Sequence, residues 1–126
     1  MDNKILGKIN KIIPFSAVDG PGNRIAIFFQ TCNLRCKFCY NQETLNDCNN
    51  CLKCIEFCKF NALQNNNGKI NFIIDNCKNC GECILNCPNN SSPKYFIFTI
   101  ESLFLKIEKY LPFIYGITFS GGEPAL

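Results

Sequence analysis

The chain has 126 residues, 47% of them hydrophobic and 18% charged, with a formal net charge of +3 and no histidine. Such a length suits one modest domain or part of a larger one. The lack of His excludes Cys/His zinc fingers, histidine-ligated haem and the commonest general base. No stretch approaches the eighteen or so apolar residues of a membrane span. The opening MDNKILGKINKIIPF breaks its apolar positions with Lys and Asn, unlike the continuous core of a signal peptide. A cytoplasmic protein without a membrane partner is expected. The thirteen Lys and Arg are scattered rather than clustered, so no nucleic-acid partner is expected either. Eleven cysteines dominate the composition. An odd count without an export signal speaks against a disulfide scaffold and for metal binding in a reducing compartment.

Residues 1–47 start with two apolar runs, Lys8–Phe15 and Asn23–Phe29, separated by the turn signal Val18-Asp19-Gly20-Pro21-Gly22. The second run, NRIAIFF, is β-branched and aromatic and predicts a buried strand. It leads into Cys32-Asn-Leu-Arg-Cys36-Lys-Phe-Cys39, a C-x3-C-x2-C spacing. Three thiolates on one tight loop can hold three corners of an iron–sulfur cubane and leave the fourth iron open, as a catalytic site requires. For the triplet taken alone, zinc stays an alternative.

Residues 48–90 hold the other eight cysteines in two runs of equal spacing, Cys48, Cys51, Cys54, Cys58 and Cys77, Cys80, Cys83, Cys87, which marks a duplication. Between them, ALQNNNGKINFII predicts strand–turn–strand with Asn67-Gly68 as the hairpin turn. The runs match the bacterial two-cluster ferredoxin pattern, in which the fourth Cys of each half ligates the other half's cluster. On that pattern Cys48, Cys51, Cys54 and Cys87 form one ligand set, and Cys77, Cys80, Cys83 and Cys58 the other. Pro88 follows the second run as the pattern asks, while Lys59 replaces the proline after the first. Three clusters then use all eleven thiols. Their thiolates and cores would contribute about −5, so the basic formal charge would fall to roughly −2 on loading.

Residues 91–126 return to α/β patterning. Ile100, Leu103, Phe104, Ile107 and Leu111 recur at helical spacing after Thr99 as N-cap, and Pro112 should stop the helix. Tyr115–Ser120 predicts a short strand that runs into Gly121-Gly122-Glu123-Pro124. The expected architecture is a βαβ unit with a small module inserted in its first connection.

A buried strand, then the cysteine triplet with Phe38 before its third Cys, and a later strand ending in GGEP together resemble the radical S-adenosylmethionine superfamily. The resemblance implies that Cys32, Cys36 and Cys39 ligate the open [4Fe–4S] cluster, which is catalytic, and that Phe38 lies by the adenine of S-adenosylmethionine. It implies that Gly121, Gly122, Glu123 and Pro124 contact the methionine moiety. Asp19-Gly20-Pro21-Gly22-Asn23-Arg24 is similar to the signature of activating enzymes for glycyl radical enzymes, as are the stretches VDGPGNR, PFIYGIT and SGGE. By that likeness Asp19, Gly20, Gly22 and Arg24 face the partner's peptide loop, with Arg24 supporting the turn or the cluster loop. The implied fold is α/β, the N-terminal part of a partial TIM-type radical SAM barrel with an inserted α+β bacterial-type ferredoxin module.

The implied activity is reductive cleavage of S-adenosylmethionine and hydrogen abstraction from a backbone glycine of a partner glycyl radical enzyme. A flavodoxin- or ferredoxin-like donor would supply the electron. The rivals are a polyferredoxin-like electron carrier and a radical SAM enzyme acting on a small molecule.

Overall fold

The computed structural model describes residues 5–126; the first four residues, which open both the 1–47 segment and the polar-interrupted N-terminal stretch, lie outside the described residues. Both apolar runs of the N-terminal segment are strands: β1 is Leu6–Ser16 and β2 is Arg24–Phe29. They pair antiparallel around the Val18–Gly22 turn, with register irregularities between Ile9 and Lys11 and between Ile13 and Ser16. In β2 the consecutive residues Ile25, Ala26 and Ile27 are all buried. A strand can bury neighbouring residues only when both of its faces are covered, and such a strand reads as a continuous apolar run rather than an alternating one.

The inserted segment contains β3 (Leu63–Asn66), β4 (Lys69–Phe72) and the short helix α1 (Glu82–Leu85), with 3₁₀ turns at Lys53–Phe57 and Ile74–Asn76. β3 and β4 form the expected hairpin, and Asn67 and Gly68 both have positive φ (51° and 80°) as its two-residue turn requires. The duplication is visible in the backbone. Left-handed residues occur at matching places in the two halves: Asn50 with Asn79, Leu52 with Gly81, and Asn61 with Asn90. Asn and Gly tolerate that conformation; Leu52 occupies it at a cost of order 1–3 kcal/mol.

The chain then forms β5 (Phe96–Thr99), α2 (Ile100–Ile107) and β6 (Gly116–Gly121). Strand order in the main sheet is β5-β1-β2-β6. β6 lies parallel to β2, from Arg24 opposite Gly116 to Phe29 opposite Gly121, while β5 pairs antiparallel with β1. The parallel pair joined through α2 is the expected βαβ unit. β5 is an addition to the expected unit, formed by the aromatic and β-branched residues before the Thr99 cap.

α2 starts in a capping box: Ser102 N–H donates to Thr99 Oγ1 (3.1 Å), and Thr99 N–H donates to Ser102 Oγ (2.8 Å). It ends at Ile107, one turn short of expectation, and continues as a 3₁₀ turn over Glu108–Phe113 with Pro112 inside it. Pro112 has no N–H to give the Glu108 carbonyl and its ring would collide with that group, so α geometry fails near Glu108. Ile107 is buried against Ile9, Ile25 and Ile27, with Leu103, Tyr110, Ile114 and Ile117 packed around them. Ile100 and Phe104, although in register with the stripe, remain exposed.

Candidate functional site

Because β2 and β6 are parallel, their C-terminal ends lie together, and both expected site segments emerge there. Gly122 N–H donates to Phe29 O (2.8 Å) and Glu123 N–H to Thr31 O (3.1 Å), so the end of β6 continues along the backbone that leads into Cys32. At Gly121 (φ 85°) a Cβ would lie 2.6 Å from Phe29 O, and at Gly122 it would fall on Thr31 O. The paired glycines are thus required by the chain's own backbone approach. Thr31, a β-branched residue, has φ 76°, a strained position held from both sides. The Glu123 carboxylate accepts from Ala125 N–H (3.0 Å), and Pro124 is exposed.

Several groups fix the cysteine loop. Cys32 N–H donates to Leu45 O (3.1 Å), Leu34 N–H to Cys32 Sγ (3.4 Å), and Cys39 N–H to Cys36 O (3.2 Å). Arg35 donates to Cys32 O and Leu34 O (both 2.7 Å) and to Asn46 Oδ1 (3.1 Å). Buried Gln30 donates to Glu43 O (2.9 Å) and Asn46 O (2.8 Å) and accepts from Asn10 (2.8 Å). Neither Arg35 nor Gln30 is among the residues the motifs point to. The one available signal was a polar residue closing the apolar run of β2. Cys36 is exposed, and Phe38 (97%) and Tyr40 (96%) project into solvent, so the loop presents an open face.

The Asp19–Arg24 turn sits elsewhere, at the opposite end of β2 and about 16 Å of strand from the cysteine loop. Arg24 donates to Pro21 O (3.2 Å), Thr118 Oγ1 (2.7 Å) and Ile117 O (3.1 Å). Thr118 Oγ1 donates to Asp19 O (2.9 Å), and Ser16 Oγ donates to the Asp19 carboxylate. Of the two supports open to Arg24, the turn is the one it serves. Gly20 and Gly22 leave space filled by the Arg24 side chain and the Tyr115 ring.

All eleven cysteines are unpaired thiols. In the inserted segment a small cavity of about 20 Å³, partly open to solvent, is lined by Cys58 together with Cys77, Cys80 and Cys83. One thiol from the first run thus joins three from the second. Cys48 has Cys87 and Cys51 among its neighbours, and Cys54 has Cys48, Cys83 and Cys51. Cys54 and Cys83 meet with Leu63 in a shared apolar core. Burial pushes Cys54 up to about 11, with Cys48 and Cys83 adding to it, and burial likewise raises Cys48 and Cys83. At Cys58 burial is outweighed by backbone N–H groups of Phe60, Ala62 and Leu63, which hold the thiol below its usual value. Among the described residues no three Cys, Asp or Glu side chains converge on a single-ion site. A cubane asks for something different, because each thiolate holds its own iron. Four thiols around one cavity, with backbone N–H groups directed at sulfur, fit that requirement.

The entry and exit of the segment are joined. Asn46 and Ser91 form a parallel bridge, Asn46 Nδ2 donates to Asn89 O (2.8 Å), and Asn89 Nδ2 donates to Asp47 O (2.6 Å). Lys8 pairs with Asp47 at 2.6 Å.

The model of a family described as a 4Fe-4S single cluster domain matches residues 18–126, and the chain belongs to that family. Its description names one cluster, and the eight further cysteines fall inside the matched span. Among curated proteins, the chain is 27% identical over 124 residues to a Haemophilus influenzae protein named a glycyl-radical enzyme activating enzyme, covering 98% of this chain and 31% of that one. It is 31% identical over 140 residues to the 4-hydroxyphenylacetate decarboxylase activating enzyme of Clostridium scatologenes, covering 95% of this chain and 45% of that one. A 42-residue stretch is 48% identical to the pyruvate formate-lyase-activating enzyme of Clostridium pasteurianum, covering 33% of this chain and 18% of that one. The chain therefore spans a third to a half of the two relatives matched along its length.

Proposed function

We propose that this chain carries the cluster-binding part of a radical SAM activating enzyme for a glycyl radical enzyme, with β2 and β6 as neighbouring strands of its barrel. One observation carries the reading: the GGEP segment is pinned by Gly122 and Glu123 to the backbone just before Cys32, which puts both motifs at one end of a parallel strand pair. The names of the long-range relatives support it.

Cys32, Cys36 and Cys39 would hold the open cluster. When bound, that cluster and S-adenosylmethionine supply reductive cleavage of the S–C5′ bond, giving the 5′-deoxyadenosyl radical that takes hydrogen from the partner's glycine. Arg35 and Gln30 hold the loop to both ends of its own span. The Gly121–Gly122 backbone leaves no side chain between β6 and Thr31. Exposed Phe38 is free to cover a bound nucleoside. The Asp19 turn, at the far end of β2, would meet the partner away from the cysteine loop. Cys48, Cys51, Cys54, Cys87 and Cys58, Cys77, Cys80, Cys83 would hold two further clusters in an inserted ferredoxin-like module. Electrons from a flavodoxin- or ferredoxin-like donor would pass through it in the cytoplasm.

The test uses the whole protein containing this chain, loaded anaerobically with iron and sulfide and given S-adenosylmethionine and dithionite. 5′-Deoxyadenosine should form, and Cys36→Ser should abolish it while Cys80→Ser leaves cleavage in place. Clusters without any 5′-deoxyadenosine would instead identify an electron carrier.

A further inference from the structure

The two ligand sets of the module differ in what surrounds them. The cavity at Cys58, Cys77, Cys80 and Cys83 is also lined by Lys78 and Lys94. Lys78 belongs to the cysteine run itself. Lys94 does not: it lies on the exit segment, beyond the last cysteine, and reaches back to the cavity. Its backbone follows buried Ser91 and Ser92, and its N–H donates to Ser92 Oγ (3.1 Å). Its Nζ lies 3.5 Å from Asn79 Oδ1, in the loop between Cys77 and Cys80. That partner is a neutral amide, and among the described residues no carboxylate pairs with the ammonium beside the cavity. The remaining walls include Phe57, Phe60, Leu63 and Phe72, which keep water from one side and lower the local dielectric.

Resting on the cluster assignment above, we propose that Lys94 raises the reduction potential of the cluster held by Cys58, Cys77, Cys80 and Cys83, and so makes the module's two clusters inequivalent. Reduction adds one electron and hence one negative charge to the cluster. A fixed cation nearby favours the reduced form, and net charge near a cluster is one of the factors that set its potential. Lys94 acts through its field rather than as a ligand, and it is a positioning charge contributed from outside the repeat. The electron held by the module is thereby biased toward that site.

The experiment is an EPR-monitored redox titration of the anaerobically loaded chain and its variants, with iron and sulfide content measured in each. Lys94→Gln should shift one module midpoint to more negative potential and leave the other unchanged, at unaltered iron content. Lys94→Arg should keep the wild-type midpoint. Lys94→Met, which removes the ammonium without adding a charge, should reproduce the negative shift and reads the same quantity should Lys94→Gln load poorly. Loaded variants with neither midpoint moved, or with both moved equally, overturn the role of Lys94 alone. A wild-type chain that takes up no four-iron clusters overturns the cluster assignment and the proposal with it.

Discussion

Arg24 shows how the structure chooses between two tasks that a motif leaves open, since it supports the turn and not the cysteine loop. Its guanidinium holds Pro21 O, Thr118 Oγ1 and Ile117 O at once, tying the turn to β6. Lysine cannot reproduce that planar fork. Arg24→Lys should therefore destabilise the chain by about 1–3 kcal/mol through its unsatisfied partners, measured by urea unfolding. Gly122 is a second case. Gly122→Ala would drive a methyl group into Thr31 O and break the two hydrogen bonds that join β6 to the cysteine loop. Loss of stability by about 2 kcal/mol or more is expected, with loss of the three-cysteine cluster's EPR signal. Retention of both would show that the loop is held by Arg35 and Gln30 alone. The thiols add a pH dependence before iron is taken up. Cys54 is raised from 9.0 to about 11 by burial, so its contribution to stability is complete below pH 9 and is lost as pH rises toward 11. Cys58 is lowered, so its contribution is complete above pH 9 and does not mask the loss. Thermal unfolding of the iron-free chain across that interval checks the sign.

At the scale of elements, the first half places its last cysteine beside the second. Cys58 belongs by sequence to the first run and by position to the cavity of the second. Cys58→Ser and Cys80→Ser should remove the same EPR signature, each with up to about four irons, and Cys87→Ser should remove the other. If Cys58→Ser and Cys51→Ser fall together instead, the halves do not cross. The hairpin was legible in the sequence because Asn67-Gly68 is a strong local signal for one turn geometry. The start of α2 was legible for the same reason, through Thr99. Its end was not. Pro112 marks a stop, but the stop acts one turn earlier, on the Glu108 carbonyl. β5 had a local sign in the aromatic and β-branched run Tyr95–Thr99, but its pairing with β1, far back in the chain, is a tertiary matter.

For the whole molecule, the parallel pairing of β2 and β6 is the decisive arrangement. It gathers the cysteine loop and the GGEP segment at one end and leaves the Asp19 turn at the other. The inserted segment leaves and returns at one neck, through Asn46, Asn89 and Ser91, and Arg35 reaches that neck from the cysteine loop. Among the described residues no helix is long and apolar enough to cross a membrane. By itself the sequence determined the cysteine spacings, the duplication, the hairpin turn and the strand–loop order, because spacing and turn chemistry are local properties. Only the tertiary structure decided which glycines meet which backbone, that the GGEP segment joins the cysteine loop at the C-terminal end of β2, and that Lys94 stands by the cavity of Cys58, Cys77, Cys80 and Cys83. Those depend on pairings between residues far apart in the chain, which no local pattern encodes.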